Sequence, residues 1–514
     1  MKSLISVGLG LLLALNSWAQ VKVNSKQLKA IDKHLETQTQ KWNIPGVAVA
    51  IVRGDEVLLS RGYGVKNINK SEKVDENTLF AVASNTKAFT ATAIGMLVDE
   101  GKMSWDDKVQ KHLPYFQLYD PYVSTNMTVR DLLCHRSGLE TFSGDLIWYG
   151  SQYSREEVIK RARFLEPKYE FRAHYGYQNI MFIAAGEIVA KVSGMSWDDF
   201  IKTRFFEPMQ MTSSNTSIDA FTPTSNVADP HNEKNGTNQA IEWTNWDNIG
   251  GAGAINSSVH DMGKWLQCQL NSGKVDTTQL FSKQVQKETW NIHTPKNISD
   301  WSSSMMPSKT INGYGLGWDI FNYQGRKIVT HGGGYDGMIS QTVMIPEEDL
   351  AFVVLTNNIN YLPFVLTYEL TDMLLKSDNP TKINQTLYEY KLEDQATLEK
   401  AMVAAEEGRI KNTSPSLDLA KYAGTYGGDM YGNCVVRLIG DQLAFQFEPT
   451  PLFRGTLRHW HYDTFQLNWG TKMMLPSGTV QFIIGVDGEV EEMGIVVENP
   501  DFDFTELELI KLKE

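Results

Sequence analysis

Strand-forming sequence opens this chain, gives way to a long helical and loop-rich interval, and returns only from Tyr314 onward. The run Gly46-Val47-Ala48-Val49-Ala50-Ile51-Val52 is apolar and β-branched. A Gly54-Asp55 turn and Glu56-Val57-Leu58-Leu59 complete a β-hairpin signature. Further strands are expected at Tyr314–Ile320, Lys327–Thr330, Ser340–Ile345 and Leu350–Leu355. Between them lie amphipathic helical stretches at Trp197–Ile201 and Asp261–Leu266. Strands at both ends with helices between imply one α+β unit, an antiparallel sheet closed by distant segments and flanked by helices. This unit is read as residues 20–375.

Residues 376–412 read as a helical linker, centred on the polar, Glu- and Lys-rich stretch Leu387–Glu407. Beyond Tyr422 the pattern changes to evenly spaced short strands. Val435–Leu438 and Leu443–Phe447 flank Gly440-Asp441; Phe482–Ile484 and Val490–Val497 flank Asp487-Gly488. Residues 413–514 are accordingly expected to form a small antiparallel β-barrel. At the other end, Lys2, the apolar run Leu4–Leu15 and Ser17-Trp18-Ala19 have the layout of a cleavable signal peptide over residues 1–19. That reading implies a periplasmic or secreted protein with no membrane span after signal removal.

The formal net charge of −13 lacks the basic footprint that nucleic acid or an anionic membrane demands. Cys134, Cys268 and Cys434 are odd in number and far apart, so they build neither a disulfide framework nor a CxxC metal site, and are read as small buried hydrophobes. His135 beside Cys134, and His459 with His461, lack the spacing or the third ligand of a metal site. None of these residues is read as a metal site.

Chemistry is concentrated in three short motifs. "ASNTKAFTATAIGM", Ala83–Met96, reads as a buried helix whose first turn holds Ser84 and Lys87. Residues at i and i+3 share a helix face. An amine in a dry pocket is disfavoured as a cation and becomes a base, and the start of a helix favours negative charge. Together they supply a serine nucleophile with its own proton acceptor. The second motif is Tyr177-Gln178-Asn179. A phenol beside Lys87 is expected to gain phenolate character and relay a proton, while the Asn179 amide can hold Lys87 and a substrate carbonyl. Tyr175 competes for the phenol's role, and only the Y-x-N spacing separates the two. The third motif, His331-Gly332-Gly333-Gly334, follows the strand "RKIVT". Its glycines let a substrate backbone lie against the protein, and the Gly334 amide can pair with that of Ser84 as an oxyanion hole. His331 is left with two candidate roles, orienting Tyr177 or binding a substrate carboxylate.

Ser84-x-x-Lys87, Tyr177-x-Asn179 and His331-x-Gly333, in that order, resemble the penicillin-recognising serine hydrolases. The Tyr-x-Asn form is similar to the class C β-lactamase-like branch, as are "LLCHRSGL", "GGAGAINSSVHDMGKWL" and "PEEDLAFVVLTNN". The C-terminal part resembles the lipocalin-like barrel attached to some peptidases of that branch. The resemblance implies an all-helical subdomain beside the sheet and an acyl-enzyme on Ser84, with neither a metal nor an organic cofactor needed. Lys87 and Tyr177 would move the proton, Asn179, His331 and Gly333 would line the substrate site, and Ser84 and Gly334 would hold the oxyanion. The implied reaction is cleavage of a peptide or amide bond in a small-molecule or peptide substrate, D-amino-acid peptides among the candidates. A small-ester esterase and a non-catalytic sensor of peptidoglycan or β-lactams are the alternatives. The barrel could cap the cleft, recruit a second subunit or bind an apolar ligand, and the oligomeric state stays open.

One departure carries a prediction. The β-lactamases of this family place a lysine where this chain has His331, and a histidine is a weaker anchor for a penicillin carboxylate near neutrality. Nitrocefin hydrolysis is therefore expected to be slow or absent beside that of a dedicated resistance enzyme, assayed at equal enzyme concentration.

Overall fold

The structure is a computed structural model that describes residues 20–513 except 235, 471–473 and 500, without the side chains of 394–396, 398, 399, 401–403 and 405. The signal peptide read at residues 1–19 lies outside the described residues. Strands β1 (Gly46–Arg53) and β2 (Glu56–Gly64) form the expected hairpin, with Val47 opposite Tyr63 and Ala50 opposite Ser60. Six more strands join them: β3 (Thr294–Pro295), β4 (Asn312–Tyr314), β5 (Asp319–Tyr323), β6 (Arg326–Tyr335), β7 (Met338–Ile345) and β8 (Leu350–Thr356). Their order across the antiparallel sheet is β2-β1-β8-β7-β6-β5-β4-β3. The sheet is thus closed by β1 pairing with β8, Val47 opposite Thr356.

Both faces of this sheet are covered, which is why β1 reads as a continuous apolar run rather than an alternating one. The flanking helices are α1 (Ser25–Lys41), α2 (Thr86–Asp99), α3 (Asn179–Ser193), α4 (Val259–Leu270), α5 (Leu362–Leu375) and α6 (Ile383–Gly408). Val47, Val49 and Ile51, with Phe352 and Val354 of β8, face an outer layer containing Ile31 and Leu35 of α1 and Val365 and Leu366 of α5. Ala48, Ala50 and Val52 face the interior with α2 and α4. Each fully buried valine or isoleucine in these layers contributes about 1.5–3 kcal/mol. Small residues set the inner spacing: a Cβ on Gly263 of α4 would already touch Ala50 and Val52. Farther along the interior, Phe89 of α2 stacks on Trp265 of α4 with ring centres 3.9 Å apart.

The strand expected at Tyr314–Ile320 is in fact broken into β4 and β5. Gly315 donates its amide to the Trp318 carbonyl at 2.7 Å, closing a tight turn. The cause is the approach of α2. Gly317 has φ +77°, and a Cβ there would lie 2.8 Å from the Lys87 carbonyl. The linker reading also needs adjustment. The first turns of α6 belong to the outer layer of the sheet, where Ile383 and Leu387 are buried and Asn384 accepts the Trp42 indole N–H at 3.3 Å.

The C-terminal eight strands close into an antiparallel barrel: β9 (Gly424–Gly428), β10 (Gly432–Ile439), β11 (Gln442–Phe447), β12 (Arg454–His461), β13 (Thr464–Trp469), β14 (Gly478–Ile484), β15 (Val490–Val496) and β16 (Ile510–Lys511). Its interior is filled by aromatic side chains, among them Tyr422, Phe465 and Phe482 with ring centres 5.1–5.5 Å apart. The barrel leans on the helical part of the larger domain. Tyr153 donates to the Tyr431 carbonyl at 2.7 Å, Arg161 donates to the Asp429 carbonyl at 2.8 Å, and Glu506 accepts the Gly144 amide at 2.8 Å.

Gly317 combines a left-handed backbone with direct contact to the turn that carries Lys87. Gly317→Ala is expected to cost about 1–3 kcal/mol through strain and displacement of α2, read as a lower denaturation midpoint in guanidinium titrations.

Candidate active site

Ser84 sits in a single 3₁₀ turn, Ala83–Asn85, that runs directly into α2. Ala83 is held at φ +45°, a left-handed conformation that costs a non-glycine residue of order 1–3 kcal/mol. The surroundings impose it. Asn85 donates to the Ser340 hydroxyl at 2.8 Å and accepts from Thr342 at 2.6 Å, while Ser340 donates to the Val82 carbonyl at 2.7 Å. The turn is thereby tied to β7. Gly333 on β6 completes the fit, since a Cβ there would lie 2.3 Å from the Val82 carbonyl oxygen and 2.9 Å from the Ser84 amide nitrogen.

Lys87 is fully buried one turn later. Its Nζ lies 3.0 Å from Ser84 Oγ, 2.7 Å from Asn179 Oδ1 and 2.9 Å from the Ala252 carbonyl. Gly186 and Gly251 permit this last contact. A side chain on Gly251 would lie 2.7 Å from the Phe182 carbonyl and 3.0 Å from the Gly186 Cα, so the backbone leading to Ala252 could not reach α3. Burial pushes the Lys87 amine down to about 7, and the nearby Asp145 carboxylate opposes that shift. Asn179, the first residue of α3, bridges the two: it accepts from Lys87 and donates to Asp145 Oδ2 at 2.6 Å. Burial raises Asp145 to about 7, against hydrogen bonds from Trp148 and Asn179 and the charge of Lys87. The bonding pattern has a chemical consequence. The carbonyl oxygens of Asn179 and Ala252 only accept, so a neutral Lys87 must spend its two N–H groups on them. Its lone pair is left for the Ser84 hydroxyl.

Tyr177 and Tyr175 are separated by their surroundings. The Tyr177 ring centre lies 4.8 Å from Lys87 Nζ, and its phenol meets the Ser84 hydroxyl. Tyr175 instead lies under Lys296, 4.5 Å from ring centre to Nζ. The expectation of phenolate character at Tyr177 does not hold. Burial pushes this phenol upward, and the Ser84 contact offsets it only in part. The phenol is therefore a donor at neutral pH.

His331 takes neither of its two expected roles. Its Nδ1 donates to its neighbour's carbonyl, Gly332, at 2.6 Å, which leaves Nε2 to accept the Tyr314 hydroxyl at 2.8 Å. Burial pushes the imidazole down to about 4, so it is neutral. It lies 6.3 Å from the Tyr177 ring centre to centre and has no free donor for a carboxylate. The histidine that holds Tyr177 is His135: its ring lies 4.2 Å from that of Tyr177, and its Nδ1 accepts the Gln178 amide at 3.0 Å. Asp145, His135 and Tyr314 were not singled out for the site from sequence, since no spacing links them to the three motifs.

β5 pairs with β6 only as far as Thr330, opposite Asp319, while β7 pairs along all of 331–335. The glycine stretch therefore has one open edge, and alternate amides along it face a cleft of about 670 Å³. Ser84, Tyr177, Asn179, His331 and Gly334 line that cleft, with Trp148 and Trp246 in edge contact at 5.0 Å. Asn499, Asp501 and Phe502 of the C-terminal domain line it as well.

The C-terminal segment 408–511 matches a family described as a domain of unknown function (DUF3471). Among curated proteins, the chain is 28% identical over 418 residues to an unguisins hydrolase of Aspergillus violaceofuscus (strain CBS 115571), covering 76% of this chain and 73% of the relative. Among solved structures, an octameric penicillin-binding protein homologue from Pyrococcus abyssi shares the fold with a TM-score of 0.61 at 21% identity, covering 95% of this chain and all of that one. A D-stereospecific amidohydrolase from Streptomyces sp. does so with a TM-score of 0.53 at 22% identity, covering 67% and 98%. The beta-lactamase family profile matches residues 31–364, the whole stretch that carries the three motifs, and the chain therefore belongs to the beta-lactamase family as one of its serine hydrolases.

Proposed function

We propose that the chain is an exported serine hydrolase that forms an acyl-enzyme on Ser84 and cleaves a peptide or amide bond, with D-amino-acid-containing peptides among its substrates. The observation that carries the reading is the Lys87 amine at 3.0 Å from Ser84 Oγ, its other two bonds made to acceptors alone. Ser84 Oγ attacks the substrate carbonyl and its proton passes to Lys87 Nζ. The amides of Ser84 and Gly334 hold the tetrahedral oxyanion. Tyr177, protonated throughout the neutral range, gives its proton to the departing amine and recovers one from the Lys87 ammonium. Water then attacks the acyl-enzyme by the reverse path, with Lys87 again the acceptor. The unguisins hydrolase relative supports hydrolysis, and the D-stereospecific amidohydrolase neighbour supports amide chemistry on D-configured substrates.

The test is labelling with a fluorophosphonate. A stoichiometric mass gain on Ser84, absent in Ser84→Ala, is expected, together with loss of turnover by about three orders of magnitude or more in that variant. An unlabelled protein that still binds peptidoglycan fragments would instead be a sensor.

The pH dependence follows from the sign of the Lys87 shift. Only the neutral amine accepts the serine proton, and it becomes protonated as pH falls through about 7. With an uncharged substrate, kcat/KM should therefore rise with pH, about tenfold per unit below the midpoint, and level off above it. A stopped-flow or plate-reader profile between pH 5 and 9 checks this.

A further inference from the structure

The charges lining the cleft are one-sided. Asp145, Asp319, Asp336 and Asp501 face it, and among the described residues its lining contains no arginine or lysine. Two of the four carboxylates are compensated. Asp319 pairs with Lys296 at 2.6 Å, and Asp145 is bridged to Lys87 by Asn179. The other two have no cationic partner among the described residues. Asp336 is only 9% exposed; both of its hydrogen bonds, from the Tyr149 and Thr244 hydroxyls at 2.8 Å, go to Oδ2. Asp336 Oδ1 takes none among the described residues. Asp501 is exposed on the cleft wall, and its only hydrogen bond among the described residues is from its own backbone amide to Asn499.

Asp501 comes from the barrel domain, and the residues that follow it are anchored to the larger domain. Phe502 packs on Tyr149 with ring centres 4.3 Å apart, and Tyr149 is the residue that donates to Asp336. Four residues on, Glu506 accepts the Gly144 amide at 2.8 Å and the Ser143 hydroxyl at 2.5 Å, immediately before Asp145. Burial raises Asp336 and Asp145, and the Asp501 charge adds to the rise of both. Meanwhile the residue at the usual carboxylate anchor, His331, is neutral with its acceptor nitrogen capped by Tyr314. Among the described residues of this lining, an anionic substrate group meets no positive charge, and a cationic one meets two uncompensated carboxylates.

We infer that Asp501 of the barrel domain and Asp336 of the sheet form a recognition subsite for a positively charged group, so that the preferred acyl donors carry a free primary amine. The barrel is then a specificity wall of the active site. The position of this subsite within a substrate rests on Ser84 being the nucleophile, but binding of the cation does not.

Two measurements keep these readings apart. The first is kcat/KM for matched aminoacyl p-nitrophenyl esters with a free or an N-acetylated amine. The wild type should favour the free amine by about ten- to a hundredfold, the scale of one charge-assisted hydrogen bond. Asp501→Asn should remove about tenfold of that preference through KM of the free-amine ester, and Asp501→Lys should reverse it. The second is calorimetric titration of Ser84→Ala with benzylamine and with benzyl alcohol, which needs no turnover. Binding of the amine alone, weakened by Asp501→Asn, is expected. Equal turnover of the two esters, or equal binding of amine and alcohol, would overturn the subsite. Amine-selective binding without Ser84 labelling would keep the subsite and sink the catalytic reading.

Discussion

The arrangement of this active site depends on a single buried amine. Lys87 is enclosed on every side, in a helix whose residues are apolar or small almost throughout. An ammonium in such a place is expensive, and burial is the largest influence on it. Three oxygens make the burial tolerable, each brought by a different part of the chain: the Ser84 turn, the first residue of α3 and the glycine-rich approach to Ala252. Packing and chemistry are therefore the same problem here. Gly186, Gly251 and Gly317 are small because backbones must close around that amine, and the closure is what lowers its proton affinity.

The second domain takes part in the same cleft. The small closed barrel with its aromatic core sends Asn499, Asp501 and Phe502 to the wall of the catalytic cleft. Its contacts fall on residues 143–149, the stretch that also supplies Asp145 and Tyr149. A change in how the barrel sits would thus be felt by groups in contact with Ser84 and Lys87. Of the three roles the sequence left open for the barrel, capping the cleft is the one these contacts support.

What could be read from the sequence was what is local. Ser84 with Lys87, and Tyr177 with Asn179, are close in the chain, so their spacing translates directly into a shared face or a shared helix start. The first hairpin and the late strands were legible because a two-sided sheet writes itself as apolar runs. The break at Gly315–Trp318 was not, since it follows from the nearness of α2 and not from any local preference. Asp145, His135, Tyr314, Asp336 and Asp501 share the same obstacle: each acts through a partner remote in sequence. His331 shows the limit most clearly. Its motif position suggested a partner for substrate, and only the Tyr314 hydroxyl, 2.8 Å away in the folded protein, reveals that its ring is already committed.

The pairing of β1 with β8 also governs how the protein can come into being. The first strand of the sheet finds its second neighbour only when Leu350–Thr356 exists, and the Ser84 turn finds its ties on β7 shortly before that. Contacts so distant in sequence make for slow, late closure. During synthesis the reactive serine therefore stays unassembled until most of the chain has been made, and a truncated product would carry the three motifs without a working pocket.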